Sequence, residues 1–95
     1  MGLLVLATLA RGPRHGYGLV EELRDVSDGA FDLAEGTVYP ALHRLERAGL
    51  LASKWTKAAG RRRRVYSLTA RGRAELARGR LEWKTFARAV ESVVT

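Results

Sequence analysis

The sequence predicts a mainly α fold carrying one small β-hairpin, and three observations predict it. Apolar residues recur at helical spacing in three stretches before residue 50. Two short segments rich in Trp, Val, Tyr and Leu follow, parted by the polar run KAAGRRRR. A last apolar repeat, of period seven, runs from Leu76 almost to the end of the chain. With 95 residues, 46% of them hydrophobic, the chain has the size of one small domain.

Leu3, Leu4, Leu6, Ala7 and Leu9 predict a first helix that ends before Gly12-Pro13, a pair that stops helices and sets a turn. A second helix follows Gly16, with Tyr17, Leu19, Val20 and Leu23 expected on its buried side, Glu21 and Glu22 outside, and Ser27-Asp28-Gly29 closing it. The third lies in EGTVYPALHRLERAGLL, where Val38, Ala41, Leu42, Leu45 and Gly49 gather into one stripe. Its opposite face carries Gly36, Pro40, His43, Arg44 and Arg47, with Thr37 and Tyr39 on the shoulders. Proline lacks an N–H, so Pro40 is expected in the first turn of a helix starting near Gly36. Leu51 to Thr56 and Val65 to Leu68 read as two strands, and Lys57 to Arg64 as a long cationic loop between them. Thr69 is the expected N-cap of a final helix, although Gly72 stands where a capping box would place Glu or Gln.

Charge narrows the function. The net charge is +7, and residues 36 to 73 hold ten Lys/Arg against the single acid Glu46, a local balance of +9. That concentration is the footprint of a polyanion-binding surface, most often for nucleic acid. The chain has no cysteine, which removes disulfides, thiolate metal sites and a Cys nucleophile. His15 and His43 have no ligand partners at metal spacing, so neither a metal nor a cofactor is expected. There is no Ser-His-Asp or paired-acid pattern, and HGYG lacks the Lys and Ser/Thr of a phosphate loop, so an enzyme is not expected. The apolar run Gly2 to Ala10 is too short to span a bilayer, and a cytoplasmic protein is expected.

Three helices, a two-stranded hairpin and a last helix follow the order of a winged helix-turn-helix, whose third helix enters the major groove while the hairpin lies beside the backbone or minor groove. The segments LLVLATLARGPRHGYGLVEEL, EGTVYPALHRLERAGLL and GRRRRVYSLTARGR, with a closing helix containing Trp83, resemble the PadR family of transcriptional regulators, in its short form with one C-terminal helix. The resemblance covers nearly the whole chain. It implies a dimeric DNA-binding repressor whose last helix mediates dimerisation and whose release is often triggered by a small aromatic or hydrophobic compound. It also implies that Tyr39 contacts the DNA backbone.

The last helix supports a dimer on its own residues. Leu76, Trp83 and Val90 repeat every seven positions and Ala87 and Val94 join them, with Phe86 and Val93 widening the stripe. Leu76, Trp83, Ala87, Val90 and Val94 are therefore the expected homodimer interface. Docking of this helix on its own domain is the competing reading. Trp83 is either a plug in that seam or, with Phe86, one wall of a flat effector pocket.

The chain has no Asn or Gln, the side chains that pair bidentately with adenine, so direct readout must rest on Arg44 or Arg47 to guanine and on hydrogen bonds from His43 and Thr37. Arg61, Arg62, Arg63 and Arg64 read as a solvated loop, a localisation-like basic cluster or a wing on phosphates. Their place on a hairpin beside a recognition helix favours the wing. Arg14, His15 and Tyr17 either touch phosphate or form a turn that packs locally. The expected protein is thus a sequence-specific DNA-binding regulator on a pseudo-palindromic operator, with a winged domain over 1–69 and a dimerisation helix over 70–95. The alternative is a nonspecific winged-helix nucleic-acid or protein-docking module, which reuses the fold without an operator.

Overall fold

The apolar stripes of the early helices meet over one face of a small sheet. In the computed structural model, which describes residues 2–95, the order is α1 (Gly2–Leu9), β1 (Arg14–His15), α2 (Gly16–Val26), α3 (Glu35–Arg47), β2 (Leu51–Ala58), β3 (Arg61–Leu68) and α4 (Ala70–Val94). The sheet is antiparallel, in the order β1-β3-β2. Val5, Leu6 and Leu9 of α1, Leu19 and Val20 of α2, Val38, Leu42 and Leu45 of α3, Leu51, Tyr66 and Leu68 of the hairpin and Leu76 of α4 form one core. This is the winged helix-turn-helix fold with an added C-terminal helix. Among the described residues, no helix is long and apolar enough to cross a membrane.

Several local expectations change. Tyr17 is exposed, so α2 buries Leu19, Val20 and Leu23 without it. Pro40 is the sixth residue of α3, not a first-turn residue, because the helix already starts at Glu35. In a regular helix its N–H would have bonded the carbonyl of Gly36, so α3 forgoes one bond. The helix tolerates this because Gly36 lies in the first turn, exposed and with open space around it, where its carbonyl can turn to water.

The hairpin differs more. Its loop is not eight residues long: β2 and β3 pair over their whole length, from Leu51 opposite Leu68 to Ala58 opposite Arg61. Ala59 and Gly60 alone make the turn, both at positive φ (51° and 76°), the backbone of a two-residue turn whose twist matches the strands. Alanine rarely adopts that conformation, so the sequence offered no Asn-Gly or Asp-Gly to announce it. The arginine run therefore lies on a strand, with Arg62 and Arg64 on one face and Arg61 and Arg63 on the other. Strand β1 also goes beyond the sequence reading, which placed only a turn there.

The last helix starts where expected, and the structure explains Gly72. Thr69 Oγ1 accepts the N–H of Gly72 at 3.0 Å and donates to the carbonyl of Gly49 at 2.7 Å. Gly49 ends α3 at φ 80°, with the Leu50 N–H reaching back to the Leu45 carbonyl at 3.0 Å. A Cβ on Gly72 would stand 2.1 Å from the Leu50 carbonyl oxygen, so no other residue fits there. Leu76 is buried in the core of its own chain rather than lying on a free stripe. The expected division at 69/70 falls at the N-cap of α4, and the first turns of that helix pack on the core through Leu76.

Gly72→Ala tests this packing. In an ordinary helix interior Gly→Ala gains roughly 0.5–1 kcal/mol; here the clash with rigid backbone dominates, and a net loss of about 1–3 kcal/mol is expected. Urea denaturation reads it as a lower midpoint. Gly79→Ala, whose Cβ would meet only the movable end of Leu3 at 2.8 Å, should cost much less.

Candidate nucleic-acid interface

A groove of about 450 Å³ runs between the N-terminal half of α3 and the hairpin, lined by His15, Tyr17, Glu35, Tyr39, His43, Trp55, Arg61 to Arg64 and Tyr66. Helix α3 buries Val38, Ala41, Leu42 and Leu45, which turns Thr37, Pro40, His43, Arg44 and Arg47 to solvent as the spacing requires. Arg44 and Arg47 sit in its last turn, where they also complement the helix dipole. The acid Glu35, in the first turn, lines the groove and is favourably placed at the positive end of the same dipole.

Tyr39 is positioned by what is missing beneath it. Its ring packs over Gly16 so closely that a Cβ there would stand 2.6 Å from two ring carbons. Gly16, buried at the start of α2, thus seats the tyrosine that the sequence singled out, and nothing in the sequence pattern marked that pairing.

The four arginines are not equivalent. Arg61 is exposed near the turn. Arg62 stacks its guanidinium 4.9 Å from the centre of the Trp55 ring. Arg63 lies against Nε2 of His15, across the β1–β3 pairing. Arg64 donates from Nε to Ser53 Oγ at 2.8 Å and pairs through Nη2 with Glu46 at 3.3 Å. The sequence treated all four as equal wing cations; in the fold Arg64 is engaged within the domain. Arg14 is engaged too, with Nη1 donating to the Gly12 carbonyl at 2.7 Å and Nη2 lying 3.5 Å from Glu22. Trp55, 56% exposed, was read only as a strand residue. Once the hairpin pairs to its tip, alternation puts it on the groove side with Arg62 and Arg64. A reading of AAGR as a two-residue turn would have found it.

His15 is the N-cap of α2, its Nδ1 accepting the N–H of Gly18 at 3.1 Å. A doubly protonated ring would face donors at both nitrogens. Burial first, then the charge of Arg63, hold its pKa below the ordinary histidine value.

Away from this groove, Trp83 and Phe86 of α4 pack with ring centres 6.0 Å apart, and both are more than half exposed. Trp83 borders an apolar groove of about 500 Å³ with Leu3, Leu4, Ala7 and Phe31, while Phe86 stands outside it. Val90 and Val94 are exposed and Ala87 is half-buried, so beyond Leu76 the stripe is open along the end of α4.

Comparison with known proteins agrees with this architecture. A family model described as the transcriptional regulator PadR-like family matches residues 5–78. Transcriptional regulator Rv3488 of Mycobacterium tuberculosis is 42% identical over 88 residues, covering 93% of this chain and 79% of that protein. A PadR family transcription regulator from Clostridium difficile R20291 superposes with a TM-score of 0.88 at 28% identity, over 99% of this chain and 97% of that one. Bacillus subtilis PadR, solved in complex with operator DNA, shares the fold with a TM-score of 0.73 at 22% identity, over 80% of this chain and 44% of that one.

The lowered pKa of His15 makes stability depend on pH. The unfolded chain takes up this proton more readily than the fold does, so the contribution is complete above about pH 6.5 and is lost as pH falls from there through the folded value. Thermal melts between pH 7.5 and 5.5 should show falling stability. His15→Asn keeps an N-cap without a titrating group and should flatten that stretch of the profile. An equally steep fall in the variant would assign it to other groups.

Proposed function

Because the chain belongs to the PadR-like family of transcriptional regulators, we propose that it is a homodimeric repressor that reads a pseudo-palindromic duplex operator. The observation that carries this reading is the groove between α3 and the wing, which Tyr39 and His43 line with Arg61 and Arg62, while Thr37, Arg44 and Arg47 face solvent on the same helix. Helix α3 enters the major groove, with Arg44 or Arg47 on guanine and Thr37 and His43 on other base edges. Tyr39, Tyr17 and the free cations of the wing lie along phosphates. Operator DNA in the Bacillus subtilis relative supports the same class of partner here.

The dimer rests on α4. Its outer half presents Trp83, Phe86, Val90, Val93 and Val94 to solvent, an apolar surface that a second copy would cover. Two copies joined there place their recognition helices on one face of the duplex, about 34–36 Å or a multiple apart. A small flat apolar effector enters beside Trp83, where the groove is lined almost wholly by apolar side chains and the stems of Arg80 and Lys84. Its binding is coupled to release of the operator.

Selection from random-sequence duplex pools at physiological salt, with the dimer mass checked alongside, tests the reading. Enrichment of a palindrome with fixed half-site spacing is expected. Salt-sensitive binding without enrichment would make the protein a nonspecific nucleic-acid module instead. For the effector, flat aromatic compounds should change tryptophan emission in a Trp55→Phe background, where Trp83 is the sole indole. Unchanged emission across compounds that still release the operator would remove Trp83 from the pocket.

A further inference from the structure

Glu46 is the single acid among residues 36 to 73, and it points at the wing rather than at solvent. On α3 it lies on the same flank as Tyr39, away from the outward face of Arg44 and Arg47. Its carboxylate accepts the hydroxyl of Ser53 on β2, and the guanidinium of Arg64 on β3 lies 3.3 and 3.4 Å from its two oxygens. Ser53 Oγ in turn accepts from Arg64 Nε, so one hydroxyl donates once and accepts once inside a closed triangle. The three corners stand on three elements. The triangle ties the recognition helix to both strands of the wing, and it occupies the one arginine of the run that has a carboxylate beside it. Arg61, Arg62 and Arg63 have none among the ion pairs of the described residues.

We propose that Glu46 is a positioning residue that sets specificity, by holding Arg64 off the DNA phosphates and fixing the wing at one angle to α3. The inference rests on the reading of the α3–wing groove as the duplex-binding face. A wing with four free arginines would gain affinity for any duplex, since phosphate contacts carry no sequence information. A wing with one of them anchored in cis gives up that general affinity. It also reaches its phosphates only when α3 sits in register with the bases.

The test uses Glu46→Gln, close in shape but uncharged, Arg64→Gln, and the double variant, each checked for folding by thermal melting. All are titrated with the selected operator and with a random-sequence duplex across a range of salt. In Glu46→Gln, Arg64 is released: the plot of log affinity against log salt should steepen by about one, near 0.9 per added phosphate contact. Random duplex should bind several-fold tighter at low salt, and the operator-to-random ratio should fall several-fold. In the Arg64→Gln background, Glu46→Gln should add nothing to the slope, which a loss of acid acting only through long-range charge would not reproduce. An unchanged slope and ratio in Glu46→Gln, or the same steepening without Arg64, would overturn the proposal. A parent protein that binds every duplex equally would instead overturn the sequence-specific reading, while the slopes of the variants still decide whether Glu46 restrains Arg64.

Discussion

One hydroxyl holds α3 and α4 in a fixed relation. Thr69 Oγ1 donates to the Gly49 carbonyl just past the end of α3 and accepts the Gly72 N–H at the start of α4, while the Thr69 N–H reaches the Leu50 carbonyl at 3.2 Å. Orphan groups at a helix C-terminus and a helix N-terminus are thereby satisfied within one knot. Both of its glycines are demanded by geometry: Gly49 by its left-handed backbone, Gly72 by the carbonyl oxygen that lies against it. The direction in which α3 leaves the core and the direction in which α4 enters it are set at the same few atoms. A surface built on α3 and a surface built on α4 cannot then vary independently.

The stripe of α4 follows from the same geometry. Leu76 stands one turn past the knot and is drawn into the core, and Gly79 lets Leu3 of α1 pack against the helix in the next turn. Trp83 still borders α1, and at about 1.5 Å per residue the last three turns run beyond that groove, where the same spacing leaves Val90 and Val94 uncovered. One uninterrupted pattern in sequence thus serves two purposes in the fold, and only the position of the core decides where the first ends.

That is also why the sequence was legible in some places and not in others. Periodicity is a local property, and it located every helix and the outward face of α3, because burial of Val38, Ala41, Leu42 and Leu45 leaves Thr37, His43, Arg44 and Arg47 nowhere else to point. It could not locate contacts made across elements. The seat of Tyr39 on Gly16, the capture of Arg64 by Glu46 and the burial of Leu76 all depend on which element lies opposite, and no spacing within a segment records that. The hairpin failed for a different reason. Its turn places an alanine at positive φ, against the residue's own preference, so the strands extend through a run that reads as loop. Trp55 was lost with that error, since its face is defined only once the register is known.

The ion pairs gain their meaning from this placement. As contributions to stability they are small, because Arg11–Glu22, Arg24–Asp32 and the pairs of Arg78 with Glu75 and Glu82 lie in solvent that screens them. As edits to the electric field they matter more. Each couples a cation to an acid on the flanks or along α4, while among the described residues Arg44 and Arg47 of α3 and Arg61, Arg62 and Arg63 of the wing form no ion pair. A Debye length near 8 Å at physiological salt means that a polyanion at that face senses local charge far more than the total of +7. Glu46 extends the same logic into the groove itself. It stands behind Arg61 and Arg62, between helix and strands, where it pairs with Arg64 and ties α3 to both strands of the hairpin.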